Sequence, residues 1–102
     1  MAQFDVHANP GSREYPFVVD LQADLLRDLA TRVVAPLVPA RKLGAGRIAV
    51  LNPTIDIAGK AYVVLTQEAA AVPRAALGPF ALSLAHRRND LIAALDLIFA
   101  GI

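Results

Sequence analysis

The sequence predicts a small, mainly β domain in which an antiparallel sheet is covered by one C-terminal α-helix. Three observations lead there. Short segments of alternating apolar and polar residues recur through most of the chain, separated by clusters of turn formers. One sustained 3.6-residue periodicity runs from Ser83 to Ala100. The 102 residues contain no internal repeat and no linker long enough to divide them, so a single domain spanning 1–102 is expected.

The elements follow in order. Phe4-Asp5-Val6-His7 alternates as a short strand does, and Asn9-Pro10-Gly11-Ser12-Arg13 is a loop. Tyr15 to Gln22 is a strand with Phe17, Val19 and Leu21 on one side and Val18, Asp20 and Gln22 on the other. Ala23 to Ala30 is a helical turn or a loop with Leu25 and Leu26 at its tip. Thr31 to Val38 is a strand, and Pro36, which has no N–H to donate, places it at a sheet edge or at a bulge. Pro39 to Arg47 has the composition of a loop, and Ile48 to Leu51 begins a strand. Ile55 to Gln67 forms a hairpin around a turn containing Gly59, and Val72-Pro73-Arg74 is a short edge piece. The helix takes Ser83 as its cap, because a serine hydroxyl accepts from a free amide of the first turn. Its apolar stripe is Leu84, Leu91, Leu95, Ile98 and Ile102, widened by Ile92 and Phe99, and Gly101 stands where a helix stops. Leu97 projects from the polar side, and Arg88 lies beside the stripe with its stem along it. A small SH3-like barrel carrying a terminal helix accommodates this order.

Composition narrows the function classes. Ten basic residues against nine acidic ones leave a formal charge of +1, too little for a nucleic-acid binder held by phosphate contacts. With no cysteine there is no disulfide, thiolate metal site or cysteine nucleophile. No apolar run is long enough to span a membrane, and a soluble, cytoplasmic setting is expected. Counting Gly and leaving out Tyr, 61 of the 102 residues are apolar, above the usual share of about 45–50%. A domain of this size has little interior, so the surplus points to a face covered by another protein.

Residue chemistry offers no catalyst. The two serines, Ser12 and Ser83, lack a nucleophile elbow, and His7 and His86 have no partners at metal-ligand spacing. Gly44-Ala45-Gly46 is too short for a phosphate loop. Arg87-Arg88 suits a solvated helix face or an acidic partner. No cofactor is implied, and the chain reads as a binding protein instead of an enzyme.

The order of segments resembles a known family. Phe17-Val18-Val19-Asp20-Leu21-Gln22-Ala23-Asp24-Leu25-Leu26 is similar to an early strand of the CcdB toxins of bacterial toxin–antitoxin modules, and Thr31 to Leu37 to their next strand. Asn52-Pro53-Thr54-Ile55, Leu65-Thr66-Gln67 and Val72-Pro73 resemble the central hairpin and its exit, and Leu84 to Leu91 with Gly101-Ile102 the closing helix. The resemblance implies a CcdB-like homodimer of SH3-like barrels, a toxin without catalysis of its own. It implies binding to the A subunit of DNA gyrase, trapping of the cleaved DNA complex, and neutralisation by a partly disordered, CcdA-like antitoxin. Gyrase-facing positions carry over as Phe4, Leu25, Leu26, Asp96, Phe99, Ala100, Gly101 and Ile102. Asp96 stands where an Asn is familiar, and Ala100 where the family has a Trp. The dimer is expected at the end of the helix and the adjoining sheet. Candidate antitoxin contacts are Arg13, Arg41, Lys42 and Arg47, in the loops Ala8 to Tyr15 and Arg41 to Arg47. Two alternatives stand beside this reading: a CcdB-fold dimer that keeps antitoxin binding but has lost gyrase poisoning, and a MazF-like endoribonuclease, for which no acid–base pair or basic groove is visible.

Overall fold

The structure is a computed structural model and describes residues 2–101. Its strands are β1 (Asp5–Ala8), β2 (Phe17–Asp20), β3 (Thr31–Pro39), β4 (Thr54–Ile57), β5 (Lys60–Val64), β6 (Ala70–Pro73) and β7 (Phe80–Ser83). Two α-helices join them, the single turn α1 (Ala40–Leu43) and the terminal α2 (Arg88–Ala100). Every strand pairing is antiparallel, in the order β4-β5-β3-β2-β1-β7. The nine-residue β3 carries β2 along one edge and shares the other between β6, at Thr31 to Val34, and β5, at Leu37 to Pro39. One long strand gripped by two short ones on the same edge curls the sheet into a half-barrel, and the C-terminal helix accompanies it. The predicted class, a mainly antiparallel CcdB-like sheet with a C-terminal helix, is the observed one.

Alternation explains the core. Val6, Val19, Leu21, Ala35, Leu37, Ile55, Ile57 and Val64 point into one cluster, which Phe4, Leu84 and Leu91 complete. A smaller cluster of Val38, Val63 and Leu65 packs under Tyr15, Ala40 and Leu43. Phe17 and Tyr62 meet edge to face at 5.3 Å, as aromatic quadrupoles prefer.

Several expectations are corrected, each for a local reason. Pro36 lies inside the sheet. Its carbonyl accepts from Leu65 N–H at 2.9 Å, and the reciprocal donor is missing just where β5 ends and the chain turns through a 3-10 turn (Thr66–Glu68) into β6. A proline is tolerated at a change of neighbour, where the ladder is interrupted anyway. Ile48 to Leu51 is a turn, not a strand. Buried Asn52 folds it back: its N–H reaches the Ile48 carbonyl at 2.7 Å, its Oδ1 accepts from Ile48 N–H at 3.0 Å, and its Nδ2 ties to the Val64 carbonyl and Gln67. Ala23 to Ala30 agrees with its expectation of a helical turn or loop, holding a 3-10 turn (Asp24–Leu26) followed by turns. Arg41 and Lys42, read as loop, sit on α1.

The terminal helix starts later than its periodicity suggests. Phe80–Ser83 is β7, paired with β1, and a 3-10 turn (Ala85–Arg87) precedes α2. The Ser83 hydroxyl accepts from Ala85 N–H at 3.1 Å, so it caps that 3-10 turn and not the α-helix. Leu91 and Ala94 are the buried residues of α2. Phe99, placed in the stripe, is 81% exposed, while Leu97, placed on the polar side, is half-buried. Gly101 ends the helix in the left-handed region (φ 75°), its N–H reaching the carbonyls of Asp96 and Leu97 at 3.1 Å. No helix among the described residues is long and apolar enough to cross a membrane.

Two backbone positions give opposite expectations. The hairpin between β4 and β5 turns on Ala58 (φ 52°) and Gly59 (φ 82°), the paired positive angles of a type I′ turn, which favours Asn-Gly. Ala58→Asn is expected to stabilise by about 1 kcal/mol and raise the melting temperature by about 4–8 °C, checked by calorimetry. At Gly78 a Cβ would collide with the Ala8 carbonyl and lie 2.8 Å from Pro10 Cδ. Gly78→Ala is therefore expected to destabilise by about 1–3 kcal/mol in denaturant titration.

Candidate functional site

The most exposed apolar residues gather on loops and element ends. Leu25 is 93% exposed, with Leu26 and Leu29 about half exposed beside it. Three leucines on one short loop need something to hold them out of the core, and a buried polar network beneath supplies it. Asp20, at the end of β2, and Arg32, in β3, are both fully buried and form an ion pair. Arg32 Nε donates to Asp20 Oδ2 at 2.9 Å, and Nη2 lies 2.6 Å from the same oxygen at an angle too bent for a hydrogen bond. Asp20 Oδ1 accepts from Gln22 N–H at 3.0 Å. Gln22 passes the restraint on: its Nε2 donates to the Leu26 carbonyl at 2.9 Å and its Oε1 accepts from Val33 N–H at 3.1 Å. Asp24 adds a tie to the N-terminus, accepting from Gln3 N–H at 2.7 Å.

Phe4 is anchored by the same β2 terminus. Its N–H donates to the Asp20 carbonyl at 2.6 Å, and its own carbonyl accepts from Leu84 N–H at 2.8 Å. These two bonds hold it at φ 69°, a region that non-glycine residues seldom occupy. The ring is 2% exposed, and Arg88 covers it with its guanidinium carbon 5.6 Å from the ring centroid. Phe4 thus supports the surface near Asp24 from below and presents no face to a partner. Arg88 Nη1 donates to Gln3 Oε1 at 3.1 Å.

The second group sits at the end of α2. Asp96, Phe99, Ala100 and Gly101 are all exposed there, and Ile102 lies outside the described residues. The main packing of α2 against non-adjacent elements is with the Thr66–Glu68 turn, not with the Leu25 loop. The fold of one chain therefore leaves the Leu25 pair and the Phe99 end as separate apolar features.

The four basic candidates do not form one cluster. Arg13 is exposed in the loop before β2, and Arg41 and Lys42 are exposed on α1. Arg47 differs, because its Nη1 donates to Thr54 Oγ1 at 2.6 Å. It borders an open cleft of about 520 Å³ between the 47–54 turn and the start of α2, with Val50, Thr54, Arg87, Asp90 and Ala93. Arg87 is held in that cleft by Asp90 (2.8 Å) and by the Thr54 carbonyl (3.0 Å). Sequence reading weighed Arg87 as a solvated helix residue or a contact for an acidic partner and missed the cleft. It also missed the burial of Asp20, Gln22 and Arg32, which alternation places on a polar outer face. The one available signal was a strand whose outward positions alternate an acid and an amide against an arginine in the next strand.

His7 is buried, with Nδ1 3.1 Å from the Gly78 carbonyl and Phe80 edge-on at 6.3 Å, while His86 is exposed. Among the described residues no three His, Asp or Glu side chains converge as a metal site.

A family model described as the CcdB protein matches residues 3–101 of the chain. This chain belongs to the CcdB family. The match covers the whole sheet, the Leu25 loop and the terminal helix, so the CcdB assignment includes every element that positions the exposed residues above. CcdB proteins are toxins of toxin–antitoxin modules, and partnering with an antitoxin belongs to that class.

The Asp20–Arg32 pair yields a direct test. Asp20→Asn leaves a buried guanidinium without its counter-charge, and removing one partner of such a pair typically costs about 3–5 kcal/mol. Expected outcomes are a loss of that order in denaturant unfolding and faster hydrogen exchange at the amide of Val33, which donates to the Gln22 side chain.

Proposed function

We propose that this protein is the gyrase-directed toxin of a type II toxin–antitoxin module. It binds the A subunit of DNA gyrase and holds the cleaved DNA intermediate, so that the break is not resealed. It makes and breaks no bond itself, and it works in the cytoplasm where gyrase acts. The supporting observation is membership of the CcdB family over residues 3–101, joined to the exposure of Leu25, Leu26 and Phe99. These apolar side chains supply contact area that water would otherwise cover.

A homodimer belongs to this reading. The separation of the Leu25 loop from the end of α2 within one chain favours it, since a second copy supplies a way to bring the two features into one contact surface. The end of α2 and the adjoining sheet are the expected seam. A CcdA-like antitoxin neutralises the toxin by folding on it, with Arg13, Arg41, Lys42 and Arg47 as charge partners.

One observation favours a second reading. Ala100 is exposed at the position where the family's Trp is expected, and a methyl there offers little grip. A protein with that change keeps its fold and its antitoxin and has lost gyrase poisoning.

The assay that separates them mixes purified protein with gyrase and supercoiled DNA and scores double-strand breaks after denaturing the enzyme. Breaks are expected, and Leu25→Arg, at a fully solvated position, is expected to lower gyrase affinity about tenfold or more without loss of fold. Ala100→Trp is expected to strengthen binding by about 2 kcal/mol, roughly thirtyfold. Absence of breaks with an intact antitoxin complex selects the second reading. RNA cleavage by the protein alone, or a monomer mass at every concentration in sedimentation, contradicts the proposal.

A further inference from the structure

A second, smaller cleft of about 290 Å³ opens beside the Leu25 loop, lined by Arg27, Asp28, Arg32 and Arg74. Three guanidinium groups share it with one carboxylate. Like charges converge at a cost, so what each cation already holds decides what the cleft can take.

Arg32 forms the floor. Its side chain is 1% exposed, and Nε and Nη2 are turned to Asp20, which leaves Nη1 buried with no partner. Nη2 likewise makes no hydrogen bond, and the second oxygen of Asp20 accepts from Gln22 N–H and not from Arg32. A buried donor without an acceptor loses its hydration and recovers nothing. Arg74 stands on the rim, and both its backbone and its side chain are tied to the loop. Its N–H donates to the Ala30 carbonyl at 2.9 Å and its Nη1 to the Arg27 carbonyl at 3.1 Å. Among the described residues the ion pairs are Arg32–Asp20 and Arg87–Asp90, so Asp28 lines the cleft without pairing to Arg27 or Arg74. Counting Asp20 and Asp28 against the three arginines leaves one positive charge over.

We propose that this cleft is an oxyanion-binding site that takes one carboxylate or phosphate group, held by the exposed Arg27 and Arg74 at the rim over the buried positive charge of Arg32. The forked, planar donors of arginine match the paired oxygens of either group. The cleft has room for one such group. The site uses different residues from those proposed for gyrase or antitoxin binding, although Arg27 stands on the Leu25 loop.

The test uses the full-length, 15N-labelled protein, titrated with sodium phosphate and separately with sodium acetate, with sodium chloride holding the ionic strength constant. NMR follows the arginine Nε–Hε signals and the amides of residues 27–32, Val72 and Arg74. Saturable shifts of the Arg32 and Arg74 signals by at least one anion are expected. Saturation with phosphate alone assigns the group as a phosphate, with acetate alone as a carboxylate, and with both as either oxyanion. Arg74→Gln and Arg27→Gln, both at exposed positions, are expected to weaken the binding tenfold or more while the melting temperature stays near that of the unchanged protein. Shifts that grow linearly without saturating, no shift with either anion, or affinity unaltered in both variants would overturn the proposal.

Discussion

The ion pair between Asp20 and Arg32 is the constraint on which the rest of this structure depends. Two charges taken out of water cost several kcal/mol each, and mutual attraction offsets that only with good geometry and further hydrogen bonds. Here the offset comes from neighbours in the chain. Gln22 satisfies the second carboxylate oxygen with its N–H and spends its side chain on Leu26 and Val33. The same pair also sits at the point where β2 and β3 meet, so that the long central strand and the loop leading into it are fixed together. A loop with three exposed leucines would otherwise collapse toward the apolar cluster. Held this way, it keeps Leu25 in water.

That arrangement connects the composition to the function. A chain with so many apolar residues and so small an interior must leave some of them outside. The fold does not scatter them evenly. It places them on the loop before β3, on the turn holding Ile48 and Val50, on the edge strand β7 at Phe80, and at the end of α2 at Phe99. Under the proposed function such features are the means of action, because a toxin that holds its target works by contact. The buried polar groups serve the same end: Asn52 shapes the turn beside the larger cleft as Gln22 shapes the Leu25 loop.

Much of the fold was legible in the residues. Period-two segments around Val6, Val19 and Val63 read directly as strands, because a half-buried strand must alternate. The Gly59 turn and the Gly101 stop were legible because few other residues accept positive φ. What misled was local pattern without its neighbours. Pro36 marks an edge in an ordinary ladder, and only the change of partner from β5 to β6 makes an inner position tolerable. Phe80 to Ser83 lacks the apolar–polar alternation that announces a strand, and pairing with β1 creates one. Phe99 fits the helical stripe by angle, but a helix end that passes beyond its packing partner exposes whatever it carries. Phe4 was placed by resemblance near a contact surface, and its hydrogen bonds to Asp20 and Leu84 draw the ring inside.

By itself the sequence determined the class of fold, the family resemblance and the absence of thiol chemistry, since these follow from residue types and their spacing along one chain. Tertiary structure alone decided which charges are buried, which arginines share a cleft and which leucines remain in water. Those outcomes depend on residues far apart in the chain, such as Arg27 and Arg74, whose meeting no local periodicity records. Burial also reverses the meaning of a residue: Asp20 reads as a solvated strand position until Arg32 and the loop close over it.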